Sequence, residues 1–498
     1  MKKDKMIEGR IVKDREAIKN AKKQKKKKRG FNAEIMRITI IFFAMFLSLG
    51  VFLTVFNVFR AEDVINNPYN KRQETFSEKV IRGNIYASDD SVLAYTQLGE
   101  DGSETRVYPY GSLFAHVVGY DTNGKLGLEL NYNFNLLTSH DNLFTRILND
   151  FTGEKDLGDN IYTTLDVGLQ ETAYDAFGNR EGGVVAIDPT TGRVLAMVSK
   201  PDFDPNTVAY DWADLILEDE ETGKESGVLV NRVTQGLYTP GSTFKFFTLF
   251  EFIRENPDYA NYYYECIGHI GEGEEALSCF DGTVHGGQDL MDSFANSCNS
   301  SFANIGLSLN LKNYNDLLNK LYFNKQYPGN FAHNDSAFSL AEDASNFEIM
   351  QTSIGQGKTL VSPMHMALIM SAFSNGGDLM TPYLVDYTTN VSGDVVKEYK
   401  PTKYATLFSE SEIAILKDYL RAVVEYGTAT KLQSDIYTAY GKTGTAETTT
   451  DKGDNLWFTG YATNGEKTLV VCAVTEDVTD SYNYSLDVTK ALFDYYFQ

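Results

Sequence analysis

The stretch Leu237–Ile253, LYTPGSTFKFFTLFEFI, sets Lys245 among Phe244, Phe246, Phe247, Leu249 and Phe250, three residues after Ser242. Pro240 and Gly241 punctuate the chain, so Ser242 is expected to open a helix. Positions i and i+3 share a helical face, which makes Ser242 and Lys245 neighbours. The helix is apolar nearly all round and is expected to be buried. Burial disfavours an ammonium ion and lowers its pKa, and a neutral amine beside a hydroxyl can take its proton. A helix start also offers free N–H groups and positive potential where an oxyanion would form. The pair alone is a weak signal. Serine three before lysine arises by chance about twice in a chain of this length, and a capping serine beside a snorkelling lysine spells the same letters.

Two further groups change the weight. Ser297, Cys298 and Asn299 follow in SCNSSF, and Lys442, Thr443, Gly444 and Thr445 follow in GKTGTAE, on a predicted strand. Taken singly, Ser297 could cap a helix, Asn299 could sit in a turn, and Thr443 and Thr445 could be ordinary strand residues. Taken in order, Ser-x-x-Lys, Ser-x-Asn and Lys-Thr-Gly form the signature of penicillin-binding proteins and serine β-lactamases, which this chain resembles.

The resemblance is wider than the motifs. NRVTQGLYTPGSTFK, GGVVAIDPTTGRVLAMVS, SIGQGKTLVSPMHMA, VVEYGTATKL and NLWFTGYA are similar to transpeptidase-domain segments of high-molecular-weight penicillin-binding proteins. RGNIYASDDSVLA and NKR (Asn70–Arg72) resemble their membrane-proximal pedestal. The likeness runs from about residue 60 to the C-terminus and is nearest to the short, monofunctional class B proteins. Class A members carry a glycosyltransferase domain before the transpeptidase; the stretch available here is too short for one. One departure is Asp90–Ser91, where the family often has Asn-Gly at a turn, and it bears only on the local turn type.

The resemblance implies a role for each residue. Ser242 would be the acylated nucleophile and Lys245 its base. Ser297 would relay a proton to the leaving amine, helped by Lys442. Asn299 would orient Lys245 and the substrate amide. Thr443 and Thr445 would bind a substrate carboxylate beside Gly444, and the backbone N–H groups of Ser242 and Thr445 would form the oxyanion hole. It implies a peptidoglycan D,D-transpeptidase that cross-links stem peptides ending in D-Ala–D-Ala and is acylated by β-lactam antibiotics. It also implies a membrane glycan polymerase of the elongation or division machinery as partner. A D,D-carboxypeptidase or β-lactamase on the same site is the first alternative; a non-catalytic β-lactam-binding scaffold or sensor is the second. Gln356 and Gly357 in GQGKT are expected to shape the site, with core packing as the rival role. Cys298 is expected to be a buried filler.

The elements that must position these residues follow from patterning. Residues 1–37 carry a net charge of +10 and the whole chain −23, which leaves about −33 beyond them. Between lies Ile38–Phe59, 22 residues without a charge, about 33 Å as a helix and long enough to span hydrocarbon. The run is too long for a cleaved signal peptide and lacks a small-x-small site. With KKQKKKKRG before it, an uncleaved anchor with a cytoplasmic N-terminus and an extracytoplasmic remainder is expected. The acidic ectodomain argues against nucleic acid as a partner. The expected organisation is a cytoplasmic basic segment 1–37, a transmembrane signal anchor 38–59, a small β-rich pedestal 60–158 and a transpeptidase domain 159–498.

Within that domain, TTLDVGLQETAYDAFGNR reads as a helix with Thr164 or Asp166 at its start and Gly178 at its end. Gly182–Ser199 reads as a hairpin buried on both faces, as Arg82–Thr96 reads as a hairpin in the pedestal. Residues 211–225 read as an acidic surface loop. YTAYGKTGTAETT, NLWFTGYATN and TLVVCAVTED read as antiparallel strands, and LDVTKALFDYYF as a closing amphipathic helix. Early strands, a helical middle and late strands predict an α+β fold, with an antiparallel sheet flanked by helices. Four cysteines occur, Cys266, Cys279, Cys298 and Cys472. Cys266 and Cys279 could pair or stay free. With no C-x-x-C or H-E-x-x-H spacing, no metal and no cofactor is expected.

Overall fold

The computed structural model describes residues 2–59, 77–217, 227–448, 453–480 and 482–498. The Asn70–Arg72 segment and the acidic run from residue 218 lie outside them. The chain divides into two compact units, residues 1–70 and 71–498.

In the first unit one helix runs Lys2–Phe59. Its segment Ala33–Phe56 has a mean hydropathy of 2.5 and none of it is buried. Twenty-four such residues rise about 36 Å, enough to cross a hydrocarbon core of about 30 Å. Bare apolar side chains on a helix whose backbone bonds are all internal are suited to lipid. This is the one candidate membrane span among the described residues.

The second unit is built on a five-stranded sheet. Strands β1 (Gly182–Asp188) and β2 (Arg193–Lys200) form the expected hairpin, and β3 (Thr438–Ala446), β4 (Asp454–Thr463) and β5 (Thr468–Val478) form a meander. The order is β3-β4-β5-β1-β2, antiparallel throughout. The two ends of the domain meet where Val471 faces Ala186 and Cys472 faces Val185. Val184, Val185, Ala186 and Ile187 are all buried, so both faces of β1 are covered and its apolar run needs no alternation.

The helices supply that cover. Helix α1 (Val167–Phe177) is capped by Asp166, whose side chain accepts from Leu169 N, and Gly178 follows its last turn. Thr164, the other candidate cap, donates instead to the Val194 carbonyl. Helix α2 (Lys245–Glu255) carries the phenylalanine-rich stretch and α3 (Asn299–Ser308) follows the second motif. In α4 (Pro363–Ser374) every residue from Pro363 to Phe373 is buried. Helix α5 (Tyr484–Tyr496) closes the chain and packs against α1 and the sheet. Residues 208–216 correct the loop reading: Val208–Ile216 is helical. Val208, Trp212 and Leu215 cluster with Tyr120 and Phe203, a helical spacing that the surrounding acidic residues conceal.

A second sheet of six strands holds the expected hairpin, Ile85–Tyr86 against Val92–Leu98, with Asp90 at φ +67° in its turn. Its order is 395–398, 385–389, 160–163, 85–86, 92–98 and 104–107. Two of its strands thus come from beyond α4. Behind it Arg82 and Arg106 clamp the fully buried Glu129 at 2.5 and 2.8 Å.

Candidate active site

Strand β3 is an edge of the sheet, and the Ser242 loop is drawn against it. Gly241 sits at φ +53°, and a Cβ there would lie 2.3 Å from the Thr445 carbonyl oxygen. A Cβ on Gly444 would lie 2.8 Å from the Pro240 carbonyl oxygen. Two backbones can approach this closely only where neither residue carries a side chain, and the positive φ of Gly241 adds to that requirement. Ser242 opens a helical segment as the sequence suggests, but not as the first turn of an α-helix. It lies in a 3-10 turn, Gly241–Phe244, from which α2 continues at Lys245. Thr243 tightens the turn by donating to the Pro240 carbonyl at 2.7 Å, and Trp457 Nε1 donates to the Thr239 carbonyl at 3.2 Å.

Lys245 is fully buried. Its Nζ donates to the Ser297 carbonyl at 2.6 Å, to Asn299 Oδ1 at 2.6 Å and to Ser297 Oγ at 3.2 Å. The two short bonds end on atoms that can only accept. The long one ends on a hydroxyl that can donate instead. A neutral amine therefore keeps both short bonds and has its lone pair free for a hydroxyl proton. Desolvation pushes Lys245 down to about 7, with the nearby Cys298 and Cys279 sulfurs acting in the opposite sense. Lys442 is also fully buried, and its Nζ donates to the Thr443 carbonyl at 3.2 Å. Burial first, and then the charge on Lys245, hold Lys442 well below the usual lysine range. Two ammonium ions in one dry site repel, so the pair is suited to passing a proton rather than storing two.

Ser297 has φ +59°, a left-handed conformation that costs a non-glycine residue energy and recurs at functional sites. The turn is held by Cys298 N donating to the Ser293 carbonyl at 2.9 Å. Asn299 opens α3, and its Nδ2 donates to the Ser278 carbonyl at 3.0 Å. One asparagine thus joins the lysine to the chain opposite. On β3, Thr443 Oγ1 lies 2.5 Å from Thr428 Oγ1.

These groups surround a cleft of about 1030 Å³, lined by Ser242, Ser297, Asn299, Thr443, Gly444 and Thr445. Lys245 and Lys442 lie behind that lining. All eight sequence-predicted site residues thus meet in one place. Gln356 and Gly357 line the cleft too. Thr428 was missed; it sits in VVEYGTATKL, and a single threonine carries no motif of its own. Chemically, a hydroxyl near a buried amine of lowered pKa, a second buried lysine and strand N–H groups at an open edge suit acyl transfer.

Comparison with known proteins agrees with this chemistry. Residues 182–498, more than half of the chain, match the family described as the penicillin binding protein transpeptidase domain. The chain belongs to that family. Residues 82–161 of this penicillin-binding protein match the penicillin binding protein A dimerisation domain. Peptidoglycan D,D-transpeptidase PbpA of Mycolicibacterium smegmatis is 28% identical, over 90% of this chain and 94% of that one. The D,D-transpeptidase domain of a peptidoglycan glycosyltransferase from Eggerthella lenta is 28% identical, with a TM-score of 0.73 over 84% of this chain and 99% of that one. The imipenem acyl-enzyme complex of penicillin-binding protein A from M. tuberculosis shares the fold, with a TM-score of 0.75 at 24% identity over 85% and 100%.

Proposed function

We propose that this protein is a peptidoglycan D,D-transpeptidase acting through an acyl-enzyme on Ser242. The observation that carries the reading is Lys245, fully buried, held by Ser297 and Asn299, and one helical turn from the serine. Lys245 takes the Ser242 proton as Oγ bonds the carbonyl carbon of the penultimate D-Ala. N–H groups of Ser242 and Thr445 face the oxyanion. The C–N bond then breaks, and the leaving D-Ala nitrogen receives a proton through Ser297 and Lys442. The amine of a second stem attacks the ester, loses a proton to the same relay, and frees Ser242 as a hydroxyl. The unpaired side of β3 suits a stem peptide lying alongside as an added strand, with Thr443 and Thr445 at its carboxylate. β-Lactams enter the same site and stop at the acyl-enzyme.

The segment 38–59 anchors the chain with its basic N-terminus in the cytoplasm. A pedestal, 60–158, then carries the transpeptidase unit, 159–498, outside the membrane, where it works with a membrane glycan polymerase. The match at 82–161 to the penicillin binding protein A dimerisation domain favours transpeptidation over carboxypeptidase or β-lactamase chemistry. The test is product analysis with a D-Ala–D-Ala donor peptide and an acceptor amine. Transfer to the amine, absent in Ser242→Ala, is expected. Hydrolysis alone, at saturating amine, overturns the reading in favour of a carboxypeptidase.

A further inference from the structure

Three of the four cysteines and one histidine converge beside the site. Cys266 and Cys279 Sγ are 3.7 Å apart, Cys279 and Cys298 Sγ 3.8 Å, and Cys266 Sγ and His285 Nδ1 3.4 Å. All four donor atoms lie within 4.8 Å of one another. These separations far exceed a disulfide bond of about 2.0 Å. The first three match edges of a tetrahedron: with zinc–sulfur bonds of about 2.3 Å and zinc–nitrogen bonds of about 2.0 Å, sulfurs stand about 3.8 Å apart and a sulfur–imidazole pair about 3.5 Å.

The surroundings point the same way. Residues 263–289 form two small ladders, Tyr263–Cys266 with Gly286–Asp289 and His269–Ile270 with Leu277–Ser278. Ladders this short are not stable alone. Cys266, Cys279 and Cys298 form a small buried cluster of their own, with Tyr264 packed against it. A flap with so little apolar core needs a staple.

We infer that Cys266, Cys279, His285 and Cys298 bind a zinc ion that staples the 263–289 flap to the Ser297–Asn299 turn. Three thiolates and one imidazole form a soft donor set that selects zinc over magnesium or calcium, and four protein ligands leave no open position. The ion is therefore structural. It departs from the expectation of no metal, because the donors come from four separate segments and no local spacing announces them. Its effect on the reaction is through position. Cys298 lies between Ser297 and Asn299, both held by Lys245, while Leu277, Ser278, Cys279, Phe280 and His285 form one wall of the cleft. The ion would fix that wall and that turn together.

The test begins with metal content, which reads the site without reference to the reaction. Full-length protein in detergent, purified without chelator, is expected to carry one zinc per chain by inductively coupled plasma mass spectrometry. Cys266→Ser/Cys279→Ser should carry less than about a tenth of that, and Cys472→Ala, outside the cluster, should keep it. Cobalt-exchanged wild type should show a thiolate-to-cobalt charge-transfer band. Removing zinc with a chelator should slow acylation by a fluorescent penicillin at least about tenfold, and added zinc should restore it. Wild type without metal after refolding with zinc, with all four thiols titratable in denaturant, overturns the inference. A chain two daltons lighter with a Cys266–Cys279 bond overturns it in favour of a disulfide. Full zinc with unchanged acylation after its removal overturns the link to the site.

Discussion

At the scale of the residue, the proposed chemistry turns on Lys245. Its pKa is pushed down to about 7 by burial, so the neutral, proton-accepting form dominates above that pH and the ammonium below it. The rate of acylation by a β-lactam is expected to fall about tenfold per unit as pH drops below about 7 and to level off above it. A stopped-flow pH profile checks this; a flat profile between pH 5 and 8 contradicts a lysine base. Asn299→Ala removes one of the two short bonds to Lys245 Nζ. A bond between neutral groups contributes about 0.5–1.5 kcal/mol, so acylation should slow roughly 2- to 10-fold with the fold intact. The motif letters were legible because the chemistry needs those residue types at fixed order. The partners of Lys245 were legible only through the resemblance, since Ser297 and Asn299 lie some fifty residues away. Thr428 was not legible at all, because a lone hydroxyl gains meaning only when folding sets it 2.5 Å from Thr443.

At the scale of the element, Ser242, the proposed nucleophile, is positioned by two backbones in contact. Gly241→Ala would force a Cβ to within 2.3 Å of the Thr445 carbonyl at a positive φ. The loop must then part from β3, which separates the two proposed oxyanion donors, the N–H groups of Ser242 and Thr445. Loss of one such donor alone costs about 2.7–4 kcal/mol, so a fall in acylation of 100-fold or more is expected while circular dichroism stays unchanged. Acylation within threefold of wild type would contradict the close approach. Strands β1 to β5 and helices α1 and α5 were legible from apolar runs, turns and caps. The 3-10 turn at Ser242 was not, because Pro-Gly-Ser reads equally as a helix start. Helix Val208–Ile216 was hidden for a different reason: its apolar stripe of Val208, Trp212 and Leu215 is embedded in acidic sequence.

At the scale of the whole molecule, the six-stranded sheet interleaves distant sequence. Strands 385–389 and 395–398 pair onward from 160–163, a pairing that no local pattern announces. Its buried ionic centre makes the region testable. Burial opposes the charge on Glu129, yet Arg106 and Arg82 outweigh it and hold the carboxylate below its usual range. Breaking a buried pair leaves an uncompensated charge and costs about 3–5 kcal/mol. Glu129→Ala should therefore lower the thermal midpoint and the urea midpoint of residues 71–498 markedly, while any protein that remains folded still acylates. Unchanged midpoints would contradict the clamp. The sign with pH follows: a lowered carboxylate pKa contributes stability above its unfolded value, and that contribution is lost as pH falls through the folded value.

The central claim is that Ser242 is an active nucleophile with a neutral lysine behind it. Intact mass spectrometry after adding a penicillin, with Ser242→Ala alongside, tests it most directly. The account predicts a one-to-one adduct on wild type that persists for hours and is absent from the variant. A folded wild-type chain that takes no adduct, or a variant that takes one equally, would contradict it.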